Sequence, residues 1–182
     1  MNCTKCNDKR CLKQQSSCNR ESFTKSEVID QYQELANSEI IQVAAQLVDN
    51  GRAGTLSRVE EIVEFANLMN YKKLGLAYCY GMEQHAKAME TILTDKGFKV
   101  SAVSCSVGGL NQSEVNSASC IHKVSCNPLG QAKQLNAENV DLTLVIGICL
   151  GHDILLNRNL KMDFTTLVVK DRKNNHAPLK GF

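Results

Sequence analysis

Nine of the 182 residues are cysteines, and their spacing is the part of the sequence best suited to chemistry. Four lie in a short amino-terminal run, Cys3-x2-Cys6-x4-Cys11-x6-Cys18. A Cys-x2-Cys pair lets two sulfurs grip one ion from a tight turn, and two further thiolates complete a tetrahedral zinc site or cap a four-iron cluster. Residues 1–22 contain almost no apolar side chains and show neither helical nor strand periodicity, so metal is the expected source of their order.

Four of the remaining five, Cys79, Cys105, Cys126 and Cys149, each sit where a strand is expected to end or a helix to begin. In an open parallel sheet these points share one edge, where ligands bind. The four thiols are therefore expected to converge on one rim as a cofactor site, either an iron–sulfur cluster or zinc. Helix N-termini also favour thiolates. Gly81, Gly108, Gly109 and Gly151 beside them permit close approach of backbone to an inorganic group. Cys120 falls in a long loop and has no assigned role.

A second chemistry is possible in Cys149-Leu150-Gly151-His152-Asp153. Cys149 at a strand-to-helix turn, with His152 and Asp153 near, are candidate catalytic residues for a covalent intermediate or a persulfide. Asp153 reads equally as a helix N-cap. His176 reads as a solvated residue of the tail, and Lys170-Asp171-Arg172 as a charged strand end at the same rim, able to receive an anion.

The elements that must position these groups follow from periodicity. Helices are expected from a cap at Ser26, through Ile40 to Val48 with a stop at Asn50-Gly51, and from a Ser57–Glu60 capping box. From Lys72 onward strands and helices alternate: strand 73–78, helix 83–96, strand 98–104, helix 128–139 opened by Pro128, strand 142–148, short helix 153–157 and strand 165–170. This predicts an α/β fold, a Rossmann-like three-layer domain with a mostly parallel sheet of about four strands. The expected division is a cysteine-rich metal-binding arm over 1–22 and an α/β domain over 23–182.

Composition narrows the function. Charged residues make up 22% and hydrophobic residues 43%, with a formal net charge of +2. Basic residues are interspersed with acids, so no nucleic-acid partner is expected. The start, Met1-Asn2-Cys3, has no apolar signal region, and the apolar run 142–150 is too short to span a bilayer. A cytoplasmic location with reduced thiols is expected, with no membrane partner.

The segments Lys73-Leu74-Gly75-Leu76-Ala77-Tyr78-Cys79, Cys126-Asn127-Pro128-Leu129-Gly130-Gln131-Ala132, Gly147-Ile148-Cys149-Leu150-Gly151-His152-Asp153 and Val169-Lys170-Asp171-Arg172 together resemble the DUF1847 family of small, cysteine-rich prokaryotic proteins. The resemblance runs over nearly the whole chain and implies metal binding, without a reaction. The family pattern places a lysine after the second internal cysteine; this chain has Ser106. The expected function is a metal-binding protein with an iron–sulfur cluster on the internal cysteines and a second cluster or zinc on the arm. Its work would be electron transfer or sulfur chemistry with a redox or sulfur-transfer partner. The alternatives are a zinc-bound interaction module and a persulfide carrier using Cys149.

Because the arm carries almost no apolar side chain, a chain beginning at residue 23 is expected to fold. Circular dichroism checks this: the truncated protein should keep a cooperative thermal transition.

Overall fold

The computed structural model describes residues 2–18, 21–121 and 123–181. The chain divides into two compact units, 1–52 and 53–182. In the first, the arm holds only a single 3-10 turn at Cys3–Lys5 and a one-turn helix α1, Arg10–Lys13, neither with a buried residue; Met1, Asn19 and Arg20 lie outside the described residues. Two longer helices follow in the same unit, α2 (Lys25–Gln33) and α3 (Leu35–Val48). The first of these begins two residues earlier than a cap at Ser26 implies. Thr24 caps it, because Glu27 can return a bond to the Thr24 backbone and close a capping box. Asn50 and Gly51, both with positive φ, turn the chain out of α3.

The second unit is the α/β domain. Helix α4 (Arg58–Leu68) opens with the Ser57–Glu60 capping box. Strand β1 (Lys73–Tyr78) leads to α5 (Glu83–Asp95) and then β2 (Lys99–Ser104). A short α6 (Gln112–Val115) lies in the long connection to α7 (Pro128–Ala137). The chain closes with β3 (Leu142–Ile146), α8 (Leu150–Asn159) and β4 (Asp163–Val168). All neighbouring strands are parallel, in the order β2-β1-β3-β4. The predicted sheet is therefore the one observed.

β1 lies inside the sheet, with β2 on one side and β3 on the other. The chain reverses its direction of travel between them, which makes the crevice at the C-terminal ends of β1 and β3 the topological switch point. β3 is buried along its whole length, as a strand covered by helices on both faces must be. Leu74, Leu76, Leu93, Leu135, Leu144, Ile146 and Leu156 are fully buried and form the centre of the core. Among the described residues no helix is long and apolar enough to cross a membrane.

The fit of α7 onto the sheet is tightest at Gly75 in β1. A methyl group there would stand 2.9 Å from Thr143 Oγ1 and 3.0 Å from both Leu135 Cδ2 and Val140 Cγ2. Two of these atoms belong to the strand β3 and the helix-to-strand turn, so they cannot retreat together. Gly75→Ala should destabilise the domain by about 1–3 kcal/mol through overpacking, read as a lowered urea midpoint with unchanged slope.

Candidate functional site: a thiol-lined sheet edge

The backbone that ends the strands also sets the thiols. The ladder of the sheet continues past the strand ends as a row of four hydrogen bonds. Gly147 N donates to Val168 O (2.8 Å), Cys79 N to Ile146 O (3.1 Å), Cys105 N to Tyr78 O (2.8 Å) and Asn127 N to Cys105 O (2.6 Å). Every segment that carries an internal cysteine is tied into this row: Cys79 and Cys105 donate in it, Cys126 adjoins Asn127, and Cys149 follows Gly147 by two residues. Cys79 comes directly after β1, Cys105 directly after β2, Cys126 two residues before α7, and Cys149 at the N-cap of α8.

Two side chains brace this edge. Asn127 caps α7, accepting from Gly130 N (2.8 Å), while its Nδ2 donates to Val107 O (3.0 Å); it thereby holds the loop after Cys105 against the start of α7. Gln131 is fully buried, and its Nε2 bridges Tyr78 O (3.1 Å) and Val103 O (2.8 Å), beneath Cys79 and Cys105. Its Oε1 is buried without a hydrogen-bond partner among the described residues. Sequence reading did not single out Gln131, although a signal exists. It falls with Pro128, Ala132 and Leu135 on the buried stripe of α7, where a polar residue needs a reason.

The four sulfurs have different surroundings. Cys79 and Cys105 are buried, at 4% and 2% exposure, and Cys126 and Cys149 are half-buried. Burial pushes the Cys105 thiol up to about 12. Tyr80 N–H, 3.3 Å from the sulfur, opposes that shift, and the neighbouring Cys126 and Cys79 thiols add to it. Cys105, Cys126 and Cys79 thus form one electrostatic group. Each of the other contacts brings in a cation: Lys170 Nζ donates to Cys79 Sγ at 3.4 Å, and Arg172 Nη2 to Cys149 Sγ at 3.3 Å. The Arg172 pKa is raised first by its bond to Cys149 and further by the charge of Cys79. So the two cations lie on the thiols that flank the switch point.

A closed loop presents these cations. His176 N donates to Asp171 O (2.7 Å), and Asp171 N donates to His176 Nδ1 (3.1 Å). The Asp171 carboxylate accepts from Asn174 N (3.1 Å) and Nδ2 (2.9 Å), which lowers its pKa. Asn175 and His176 adopt positive φ to close the turn. His176 is therefore a staple of this loop and not the solvated tail residue expected from sequence; its neighbours along the chain give no hint of the partner five residues back.

Helix α8 also differs from expectation. It spans Leu150–Asn159 rather than 153–157, with Cys149 and not Asp153 in the capping position. Asp153 sits in the first turn, where partial burial raises its pKa against a bond from Asn157 Nδ2 (3.4 Å). His152 Nδ1 is buried with no partner among the described residues, and no hydrogen bond links His152 or Asp153 to Cys149 there beyond the helical Asp153 N to Cys149 O contact.

In the arm, Cys3 and Cys11 are exposed, and Cys6 and Cys18 half-buried. The backbone N–H groups of Lys9 and Asp8 face Cys6 and lower its pKa. Lys9 Nζ bonds back to Cys3 O at 2.9 Å. Cys120 is exposed in the loop after α6. Among the described residues, no three His, Cys, Asp or Glu side chains stand grouped closely enough to enclose a metal ion. A metal centre at the arm or the rim therefore requires the thiols to close in on it.

The high Cys105 pKa makes stability depend on pH. An ordinary thiol titrates near 9, so below that pH both folded and unfolded chains hold the proton. Between 9 and 12 the unfolded chain releases a proton that the folded chain keeps, and stability falls as pH rises. The reduced protein should lose urea resistance across this range, and Cys105→Ala should show a visibly shallower loss.

The chain is 38% identical over 180 residues to an uncharacterized protein of Methanocaldococcus jannaschii, covering 97% of this chain and 90% of that one. No solved structure matches it. Residues 15–167 match the model of the family described as "Protein of unknown function (DUF1847)". That match takes in the four rim cysteines and Cys18, and the chain belongs to the DUF1847 family.

Proposed function

We propose that this chain is a metal-binding protein whose rim thiols, Cys79, Cys105, Cys126 and Cys149, hold an iron–sulfur cluster. Zinc or a second cluster sits on Cys3, Cys6, Cys11 and Cys18 of the arm. The observation that carries the reading is the backbone row that lines four thiol-bearing segments along one edge of the sheet, with a cation directed at each of two of the sulfurs. The donor set is soft, as iron–sulfur clusters and zinc prefer. A thiolate-ligated cluster is an anion, and Lys170, Arg172 and the start of α8 offer positive charge to it. Tyr80 N–H on Cys105 and the paired N–H groups on Cys6 are the kind of outer-shell donors that orient thiolate ligands and tune redox potential. Such a centre would supply electron transfer or sulfur chemistry, with a redox or sulfur-transfer partner in the cytoplasm. Loading it takes a proton from Cys105, so binding should strengthen as pH rises.

A second reading is favoured by one contact. Arg172 on the half-buried Cys149 suits a persulfide held at Cys149, since a guanidinium complements charge on the terminal sulfur.

Anaerobic purification, with iron, zinc and acid-labile sulfide assays and an absorption spectrum, tests both. A cluster protein should be brown and lose iron and sulfide together in air. Cys149→Ser should remove or convert that cluster and spare metal on the arm. Colourless protein with zinc only on the arm, even after cluster reconstitution, overturns the cluster. Cyanide-releasable sulfur that disappears with Cys149 would assign the persulfide instead.

A further inference from the structure

Beyond holding a metal, the switch-point edge has the features of a receptor. Lys170 and Arg172 come from one loop, alternate along it, and reach different thiols on the two strands that flank the crevice. Both are delivered there by the Asp171–His176 closure, which fixes the loop without using either cation. Arg172 engages Cys149 through Nη2, one nitrogen of a group with five N–H donors. The approach is open at Cys149, which is half-buried, whereas Cys79 is 4% exposed. A methyl group at Gly81 would touch Lys170 Nζ at 3.8 Å and Cys79 Sγ at 3.9 Å, and at Gly151 it would meet nothing within 4 Å.

We infer that Cys79–Lys170 and Cys149–Arg172 together form a binding site for a small anion whose charge lies on sulfur, such as hydrosulfide or the terminal sulfur of a persulfide. The cations select negative charge, and the two thiols, polarizable and weakly hydrated, favour a soft anion over an oxyanion. This deepens the sulfur-chemistry reading by naming what the rim would receive, but the geometry requires no metal.

The test exploits two alkylating reagents of nearly equal size, anionic iodoacetate and neutral iodoacetamide. It is run anaerobically on the reduced full-length chain after chelation, with modification at each cysteine followed by mass spectrometry. Its outcome is therefore independent of whether a cluster is ever loaded. The iodoacetate-to-iodoacetamide rate ratio at Cys149 should exceed that of free cysteine several-fold. Arg172→Gln should bring the ratio down to the free-thiol value, while Arg172→Lys, which keeps the charge, should retain most of it. Lys170→Gln should lower the Cys149 ratio in part, because Cys79 itself is buried and is not the reporting thiol. Thiocyanate, a sulfur-bearing monoanion, should slow carboxymethylation more than chloride at equal ionic strength. A ratio equal to that of free cysteine, or one unchanged in Arg172→Gln protein with an unaltered circular dichroism spectrum, overturns the site. Equal protection by thiocyanate and chloride overturns the preference for sulfur.

Discussion

The four backbone hydrogen bonds that carry the ladder beyond the strand ends decide where everything else at the rim lies. Each is an ordinary amide-to-carbonyl contact of modest net strength. Their effect is geometric. Cys79, Cys105 and the segment of Cys126 are fixed by main-chain atoms, so their placement does not depend on side-chain rotamers. Because Cys79 and Cys105 are also members of the hydrophobic core, chemistry at their sulfurs is coupled to the stability of the fold. Gln131 extends the frame downward by occupying two carbonyls at the ends of β1 and β2 with a single amide.

The edge sorts its thiols by charge. Cys105 is kept neutral by burial among its thiol neighbours, and the switch-point pair is met by Lys170 and Arg172. The two cations thus lie on the β1–β3 side of the edge, away from the buried Cys105 at the end of β2. Thiols clustered with no compensation would repel one another once ionised. The loop after β4 supplies that compensation from outside the sheet.

Much of this was legible in the sequence. Lys73–Tyr78 reads as a strand because it is a short, almost wholly apolar run, as suits a strand covered on both faces, and Gly97 and Pro128 mark their helix ends by backbone chemistry alone. The placement of the four internal cysteines at strand ends followed from those boundaries. What remained hidden was tertiary. Nothing in Lys170-Asp171-Arg172 says that its cations reach back to Cys79 and Cys149, and nothing near His176 announces the bond to Asp171. Helix α8 is longer than expected because Asp153 reads as its cap, whereas the helix opens at Leu150 and carries Gly151 at its second position, where glycine costs little. The arm leaves alternatives open because its turns bury no side chain that would fix its order.

The position of β1 has a consequence for the life of the protein during synthesis. This strand leaves the ribosome before either of its neighbours, and its inner partner β3 follows only after β2 and α7 have been made. Cys79 cannot find the carbonyl of Ile146 until then, and its lysine emerges later still. Domains acquire structure from the amino terminus as they are synthesised, and parallel pairings between distant segments form slowly. The rim is thus among the last parts of the domain to come into being, whereas the arm thiols precede every strand of the sheet in synthesis. A ligand for the rim would have to arrive after β4 and its following loop have been made; one for the arm could be captured while the sheet is still being built.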